Sequence, residues 1–474
     1  MLIHRWMGVV FCVLFFGWFT SGIVLIYCRF PHVEPEDRLA RAPAIDPSQI
    51  RVAPSVAFRS LVNPPAPSQL RMNILDGRPV YRFHFGRKTA VVFADDGQRF
   101  NGASQDMALR IASAWTGTPA REASFDGAIV QDDQWTLDSS VHPYGPFWKY
   151  SWPNGEQVYV SQLTGEVVQH TTRAARIGAY FGAIPHWLYF TWLRSHAPLW
   201  TRVVIWLSAA GTAMSILGLV AGVWLYSSSP GVPFTGTKRW HVILGLIFGL
   251  FTCTWIFSGL LSMGPFAWVS DRGSPNLERA LRDDRIDPSV FDTASIAKAA
   301  SVGPAKELEF FSFNQEPFYL ATSAPSDSVL VPLRGDYRRA FNNDQIRNSI
   351  ARAVAPASIV QSRWVTRYEP YYIDRENKKP LPVLYVELND AAHSWFYIDP
   401  RTAKVVETYG ARTRWNRWLY HGLHSMDLPA LYAHRPAWDI VVLILLAGGV
   451  GLSVTSLVIA GKRLRAALFK PSDL

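Results

Sequence analysis

Cysteine and charge are both scarce in this chain of 474 residues. Of the three cysteines, Cys12 and Cys253 lie inside apolar runs and Cys28 lies at the end of one, so no disulfide scaffold is indicated. Charged residues make up only 18% of the chain and hydrophobic residues 49%, which excludes intrinsic disorder. The 19 tryptophans are also unusual for a soluble basic protein. The composition therefore indicates a membrane protein with substantial parts outside the membrane.

Charge is absent altogether from four apolar segments, at 7–27, 203–226, 241–263 and 440–460. A bilayer core of about 30 Å requires roughly 20 helical residues, so each segment is predicted to span the membrane. The first apolar run is too long for a signal peptide and no small-residue cleavage site follows it, so we predict an uncleaved anchor. Because the spans contain no carboxylates, a proton-relay transporter is disfavoured.

Basic residues flank the spans on one side. The short segments on this side contain seven basic residues and only one acidic residue, Asp473. The basic residues are Arg5, Lys238, Arg239, Lys462, Arg463, Arg465 and Lys470. The positive-inside rule makes these flanks, and hence both termini, cytoplasmic. The net charge of +10 is thus largely a topological signal, and no basic patch with interleaved aromatics indicates nucleic-acid binding.

Two long segments are then predicted to face the periplasm of a bacterial inner membrane. Alternating runs at 79–85, 157–161, 382–387 and 394–399 predict antiparallel strands, and amphipathic runs at 105–116 and 344–355 predict helices. The predicted division of the chain is a first transmembrane helix at 1–28, an α+β module at 29–202, a second helix at 203–227, a cytoplasmic loop at 228–240, a third helix at 241–263, a second module at 264–437, a fourth helix at 438–461 and a tail at 462–474.

The two halves of the chain repeat one another. Five residues of the first span recur at a constant offset of 237 in the third: His4, Gly8, Trp18, Ser21 and Gly22 match His241, Gly245, Trp255, Ser258 and Gly259. At an offset of 238, residues 164–168 match 402–406, His186 matches His424, and His196 matches His434. We interpret this as a tandem duplication whose two copies share one topology, related by an axis along the membrane normal.

Three of the repeated identities are histidine pairs. A two-fold axis places His4 and His241 at equal depth near the cytoplasm, and His186 and His424 at equal depth on the outer side. Two neutral imidazoles facing each other across a bundle suit bis-axial ligation of a b-type haem, and neighbouring glycines leave room for a flat macrocycle. Histidines that simply anchor the helices at the membrane interface remain the alternative.

Other cofactors find less support in the sequence. His421 and His424 form a His-x2-His pair, but no Cys or Glu completes a recognisable zinc signature. The glycines of 447–451 lie within the fourth span and are predicted to serve helix packing. No phosphate-binding loop or dinucleotide fingerprint is evident, so electrons for a haem would come from a quinol or a cytoplasmic partner.

The chain resembles the PepSY-associated transmembrane helix family, which includes iron-regulated membrane proteins and inner-membrane ferric-siderophore reductases. The resemblance rests on residues 4–8 (HRWMG), 185–190 (PHWLYF), 238–241 (KRWH) with 255–263 (WIFSGLLSM), and 419–425 (LYHGLHS). It implies a membrane protein with a four-helix transmembrane bundle and two α+β PepSY-like periplasmic modules.

The resemblance also implies a cofactor and its ligands. His4 and His241 would ligate an inner haem b, and His186 and His424 an outer one, with His196 and His434 as the alternative outer pair. The implied function is electron transfer to a periplasmic ferric siderophore or other ferric chelate, with release of Fe(II). The alternative is a non-enzymatic protein whose PepSY modules bind a peptide or partner, or regulate iron uptake.

Overall fold

The computed structural model describes residues 2–229, 231–266, 277, 281–282 and 285–468. The chain forms two compact units, each discontinuous in sequence. We call residues 1–30, 174–271 and 412–474 the helical unit, and residues 31–173 and 272–411 the sheet unit. Lys470 and Asp473, which entered the charge argument, lie outside the described residues.

The secondary structure is numbered here in chain order. The α-helices are α1 (Leu2–Tyr27), α2 (Pro35–Arg41), α3 (Pro54–Arg59), α4 (Gln105–Thr116), α5 (Arg173–Phe181), α6 (Ala183–Trp187), α7 (Thr191–Arg194), α8 (Ala197–Ser227), α9 (Gly236–Ser262), α10 (Thr293–Ala300), α11 (Asn343–Ala353), α12 (Ala411–Asn416), α13 (Pro429–Tyr432) and α14 (Ala437–Leu468). A π-helical turn, Arg417–Gly422, follows α12. The strands are β1 (Gln69–Leu75), β2 (Arg78–Phe85), β3 (Lys88–Phe93), β4 (Ser124–Ile129), β5 (Phe147–Ser151), β6 (Gln157–Ser161), β7 (Val167–Thr171), β8 (Glu307–Phe313), β9 (Glu316–Ala324), β10 (Asp327–Pro332), β11 (Ile359–Val365), β12 (Val383–Leu388), β13 (Trp395–Asp399) and β14 (Lys404–Tyr409).

Four helices of the helical unit are long and apolar enough to cross a membrane: α1, α8, α9 and α14. They confirm that the four apolar segments form long helices. Each helix begins before its apolar run. For example, α1 has 26 residues and starts before the run at 7–27, and α14 has 32 residues and starts before the run at 440–460. At a rise of about 1.5 Å per residue, both exceed a hydrocarbon core of about 30 Å.

Small residues let these helices approach closely. Helix α1 packs along α14, and α9 packs along both α8 and α14. A Cβ on Gly449 of α14 would lie 2.5 Å from Cδ1 of Phe19, and one on Gly211 of α8 would lie 3.1 Å from Cε1 of Phe15. Close contact of this kind supplies the van der Waals packing on which helix association in lipid depends. Gly449 is therefore a packing glycine, as the sequence indicated.

The sheet unit contains three antiparallel sheets. One has six strands in the order β10-β9-β8-β1-β2-β3, and two have four strands, β4-β5-β6-β7 and β11-β12-β13-β14. In the six-stranded sheet β1 pairs with β8, with Leu70 opposite Phe310. Strands from both halves of the chain thus share one sheet and one core, which includes Tyr81, Phe310 and Tyr319.

The strands and helices predicted from the sequence are present. The run at 157–161 coincides with β6, and the run at 105–116 coincides with α4. Ser104 caps the start of α4 by accepting a hydrogen bond from the amide of Met107, and Gly117 ends it in a left-handed conformation. The other predicted elements agree with β2, β12, β13 and α11 to within one or two residues at each end.

A buried ion cluster anchors the four-stranded sheet of the first half to the six-stranded sheet. Arg82 Nε lies 3.6 Å from Glu166 Oε1, and both side chains are buried. Arg71 Nη2 lies 3.9 Å from the same carboxylate oxygen. Burial alone would raise the pKa of Glu166, but Arg82 and Arg71 outweigh it and lower the pKa to about 2.

This cluster predicts acid sensitivity of the sheet unit. The carboxyl pKa is about 4.3 in an unfolded chain, so the unfolded chain takes up the proton first as the pH falls. The stabilisation is present above about pH 4.3 and is lost as the pH falls toward 2, a change of about 3 kcal/mol. The free energy of unfolding of the detergent-solubilised protein, measured by tryptophan fluorescence across this pH range, tests this prediction. Glu166→Gln should be less stable at neutral pH and should show a weaker dependence on pH; an unchanged slope would contradict the assignment.

Candidate functional site

The four repeated histidines come together as two pairs within the helical unit. His4 of α1 and His241 of α9 have ring centroids 6.4 Å apart, with an angle of 38° between the ring planes. His186 of α6 and His424, which follows the π-helical turn, have centroids 6.1 Å apart and an interplanar angle of 62°. We call these the inner pair and the outer pair.

The local backbone explains how the outer histidines reach the bundle. Helix α6 is one short turn that packs on α1, and Gly182 before it allows this approach, because a Cβ there would lie 3.2 Å from Cγ1 of Val24. The turn Arg417–Gly422 packs against α9. Single π-helical turns are rare in proteins, and those that occur are often located at functional sites.

Each outer histidine is held through Nδ1 in the same way. His186 Nδ1 lies 3.1 Å from the carbonyl oxygen of Trp18 and 3.2 Å from Ser21 Oγ. The hydroxyl of Ser21 itself donates to the Trp18 carbonyl, at 3.1 Å. Both oxygens therefore accept from the ring, which assigns the proton of His186 to Nδ1.

The second half of the chain repeats these contacts. His424 Nδ1 lies 3.2 Å from the carbonyl oxygen of Trp255 and 3.0 Å from Ser258 Oγ. Ser258 donates to the Trp255 carbonyl at 2.9 Å. The two outer histidines thus share one tautomer, with the lone pair on Nε2.

The inner histidines are held through Nδ1 as well. His4 Nδ1 lies 3.1 Å from the carbonyl oxygen of Met214 in α8. His241 Nδ1 lies 3.1 Å from Thr455 Oγ1 of α14, and that hydroxyl donates to the Leu452 carbonyl. Among the described residues, none hydrogen-bonds to Nε2 of any of the four histidines. Fixing one ring nitrogen while the other stays available is how proteins orient histidine ligands of metals.

The spacing of the rings fits an iron atom bound between them. An iron bonded to two Nε2 atoms at about 2.0 Å each would set the ring centroids about 6.3 Å apart. The observed separations of 6.4 Å and 6.1 Å agree with this. Both centroid separations are thus compatible with one iron atom held between the two imidazoles of each pair.

A cavity of about 600 Å³ adjoins the inner pair and is lined by both of its histidines. This volume lies in the range of small-molecule and cofactor sites. A Cβ on Gly8 would meet no atom within 4 Å, and one on Gly245 would meet only Leu452, at 3.9 Å. Gly218 has the opposite role, because a Cβ there would lie 2.6 Å from Cε1 of His4. Gly8 and Gly245 therefore keep one wall of the cavity open, and Gly218 leaves space for the ring of His4.

The remaining candidate histidines are not arranged as a pair. His196 and His434 are exposed, and their Nδ1 atoms lie near carbonyls of their own segments, those of Trp192 and Ala430. The ring of His421 lies 4.6 Å from that of Tyr420. Within the described ranges no group of three or more His, Cys, Asp or Glu side chains is placed to hold a metal, so His421 and His424 gain no third protein ligand for zinc.

Sequence reasoning missed the groups that orient the histidines. Ser21 and Ser258 were visible as repeated residues, and the spacing Trp-x2-Ser-Gly was their only signal. Their role depends on which helix each histidine approaches, which a sequence does not reveal. The carbonyl of Met214 and the hydroxyl of Thr455 carried no sequence signal.

The second half of the chain is similar to a known protein family. Residues 238–473 match the family described as the PepSY-associated TM region. None of the curated proteins matches the chain. The matched residues include α9 from Lys238 onward, all of α14, and one histidine of each pair, His241 and His424. Through residues 238–473, the chain belongs to the PepSY-associated transmembrane family.

Proposed function

We propose that this protein is a tandem-duplicated inner-membrane protein that carries haem b at two depths and passes electrons to a ferric chelate in the periplasm. In this proposal both termini are cytoplasmic and the sheet unit is periplasmic. The basic residues that flank the spans support the orientation.

Two structural correspondences support the duplication. The elements from α4 to β7 recur in the same order from α11 to β14. An ion pair is also retained with its charges exchanged: Arg71 faces Glu166 in the first half, and Glu309 faces Lys404, at 2.8 Å, in the second. An exchange that keeps the attraction is expected if two copies of one module diverged under the same packing.

The observation that carries the haem proposal is the pair geometry. His4 and His241 would hold one haem, and His186 and His424 the other. Bound there, haem would supply one-electron redox chemistry. The protein contributes hydrogen bonds at Nδ1, which fix the ring orientation and increase the basicity of Nε2.

Aromatic side chains fill the bundle between the two pairs. Phe15 lines the inner cavity and stacks on Trp18, with ring centroids 6.0 Å apart. Phe19 lies 5.9 Å from Trp255. The carbonyls of Trp18 and Trp255 hold the outer histidines, so this apolar packing connects the two pairs.

The proposed reaction is the one-electron reduction of a periplasmic ferric chelate, such as a ferric siderophore. Fe(III) gains one electron and becomes Fe(II), which such chelators hold weakly; the electron comes from a quinol or a cytoplasmic donor. The test is stopped-flow mixing of dithionite-reduced, desalted protein with a ferric hydroxamate in the presence of ferrozine. One Fe(II) captured per haem oxidised is expected. Protein that carries haem but is not oxidised by the chelate would contradict the reductase function.

Gly218→Ala tests how the inner pair is seated. The added Cβ would displace the ring of His4, so we expect the haem content to fall or the visible spectrum of the inner haem to change. Gly222→Ala is the matched control one turn away, because its Cβ would lie 3.5 Å from Leu246, an ordinary contact. Equal spectra for the two variants would contradict this placement of His4.

One observation favours the alternative of a peptide- or partner-binding protein. Strands β4 and β11 lie at sheet edges, and Phe125 of β4 and Trp364 of β11 are exposed. An exposed edge strand can pair with an added peptide strand. Haem-free protein that restores iron uptake in a deletion strain would favour this alternative over the reductase.

A further inference from the structure

The mouth of the inner cavity is basic. The positively charged residues that line it come from three helices, and they are Arg5, Lys238, Lys462 and Arg463. The guanidinium carbon of Arg463 lies 4.4 Å from the ring centroid of Trp6, a cation–π contact that positions it. The cations lie at the same end of the bundle as His4.

No described carboxylate neutralises these cations. The cavity lining contains no Asp or Glu, and within the described ranges none of the four basic residues forms an ion pair. The positive-inside rule accounts for basic residues on this flank but not for their convergence on a cavity. Arg239 and Arg465 lie on the same flank and do not line it.

A second polar group lines the same cavity. Thr252 of α9 is only 4% exposed, and its hydroxyl has no hydrogen-bond partner in the part of the chain that the structure describes. Other threonines of the spans bond their own helix, as Thr20 does to the Phe16 carbonyl at 2.7 Å. Thr252 is eleven residues along α9 from His241, about 16 Å of helix, so its hydroxyl lies deeper in the bundle than the basic mouth.

We propose that the inner cavity binds an amphipathic dicarboxylate with its carboxylates at the basic mouth. The identity of this ligand rests on the proposed function: it is the inner haem, and its two propionates are bound by Arg5, Lys238, Lys462 and Arg463. The apolar edge of the macrocycle then lies along the open wall at Gly8 and Gly245. Charge-assisted hydrogen bonds from Arg and Lys are the strong contacts available to a carboxylate.

The cations also bear on the redox chemistry. Ferric haem carries one more positive charge than ferrous haem, so nearby cations favour the ferrous form and raise the midpoint potential. Removing these cations is therefore expected to lower the potential of the inner haem as well as its affinity.

The test isolates the inner site in the full-length His424→Ala variant, purified without haem from haem-limited cells. The protein is titrated with iron protoporphyrin IX and with its dimethyl ester, which has no carboxylates. We expect the free acid to bind at least about tenfold more tightly. Substituting all four basic residues by Gln should abolish this preference and lower the midpoint potential of the bound haem. Arg239→Gln with Arg465→Gln is the control, and the preference should survive in it.

Each outcome bears on one claim. Equal binding of the acid and the ester, or a preference that survives the fourfold substitution, would overturn the propionate assignment and leave the haem proposal standing. Binding of neither porphyrin would contradict the proposed function itself.

Discussion

Replacing His241 with alanine is expected to halve the haem content of the purified protein. His241 is one of two histidines at the inner site, and its ring stands 6.4 Å from that of His4. A haem held by His4 alone is expected to dissociate during purification, which leaves only the spectrum of the outer haem. The outer pair contacts α1 and α9 through Trp18, Ser21, Trp255 and Ser258, so it should keep its haem. Haem quantification and the reduced-minus-oxidised spectrum measure the result.

The control for this variant is His196→Ala. His196 is exposed and is the N-cap residue of α8, and it belongs to the alternative outer pair. Its replacement should leave haem content and spectrum unchanged. Loss of a haem in His196→Ala would instead assign the outer site to His196 and His434, and an unchanged haem content in His241→Ala would remove the inner site.

Replacing His424 with alanine is expected to abolish reduction of an external ferric chelate while the inner haem remains. His424 and His186 lie on the segments that join the sheet unit to the spans, so the outer pair is on the proposed exit side of the electron path. Without the outer haem, electrons on the inner haem have no route outward. We expect the rate of Fe(II) capture to fall to that of liposomes without protein, with a quinol as donor.

His424→Met provides the rescue for this experiment. Methionine is an alternative axial ligand that raises the potential of a haem. The variant should regain two haems per chain, with one midpoint raised. Full chelate reduction by His424→Ala would contradict the assignment of the exit site.

The sequence predicted the membrane-spanning part well because its signals are local. Uncharged runs of about 20 residues require helices in lipid, where every backbone polar group must be satisfied internally. The glycines at 448 and 449 were likewise readable as packing residues, and Phe248 and Phe19 lie against them. The four histidines stood out because His4 recurs as His241 at the offset of 237, and His186 recurs as His424 at the offset of 238.

The sequence did not predict how distant parts of the chain meet. Alternation marks the two faces of β1 and β8, but it does not say that one strand pairs with the other, because register depends on partners far away in sequence. The hydrogen bonds of His186 depend in the same way on the approach of α6 to α1. The preference for His186 and His424 over His196 and His434 rested on short sequence contexts, whereas the structure places the rings of His186 and His424 6.1 Å apart and leaves His196 and His434 exposed.

We propose that two histidine pairs hold two haems. The most direct measurement is a pyridine haemochrome assay on the wild-type protein purified from haem-replete cells, with the protein concentration determined by amino-acid analysis. We expect b-type haem at two per chain. Protein that carries no haem would contradict it.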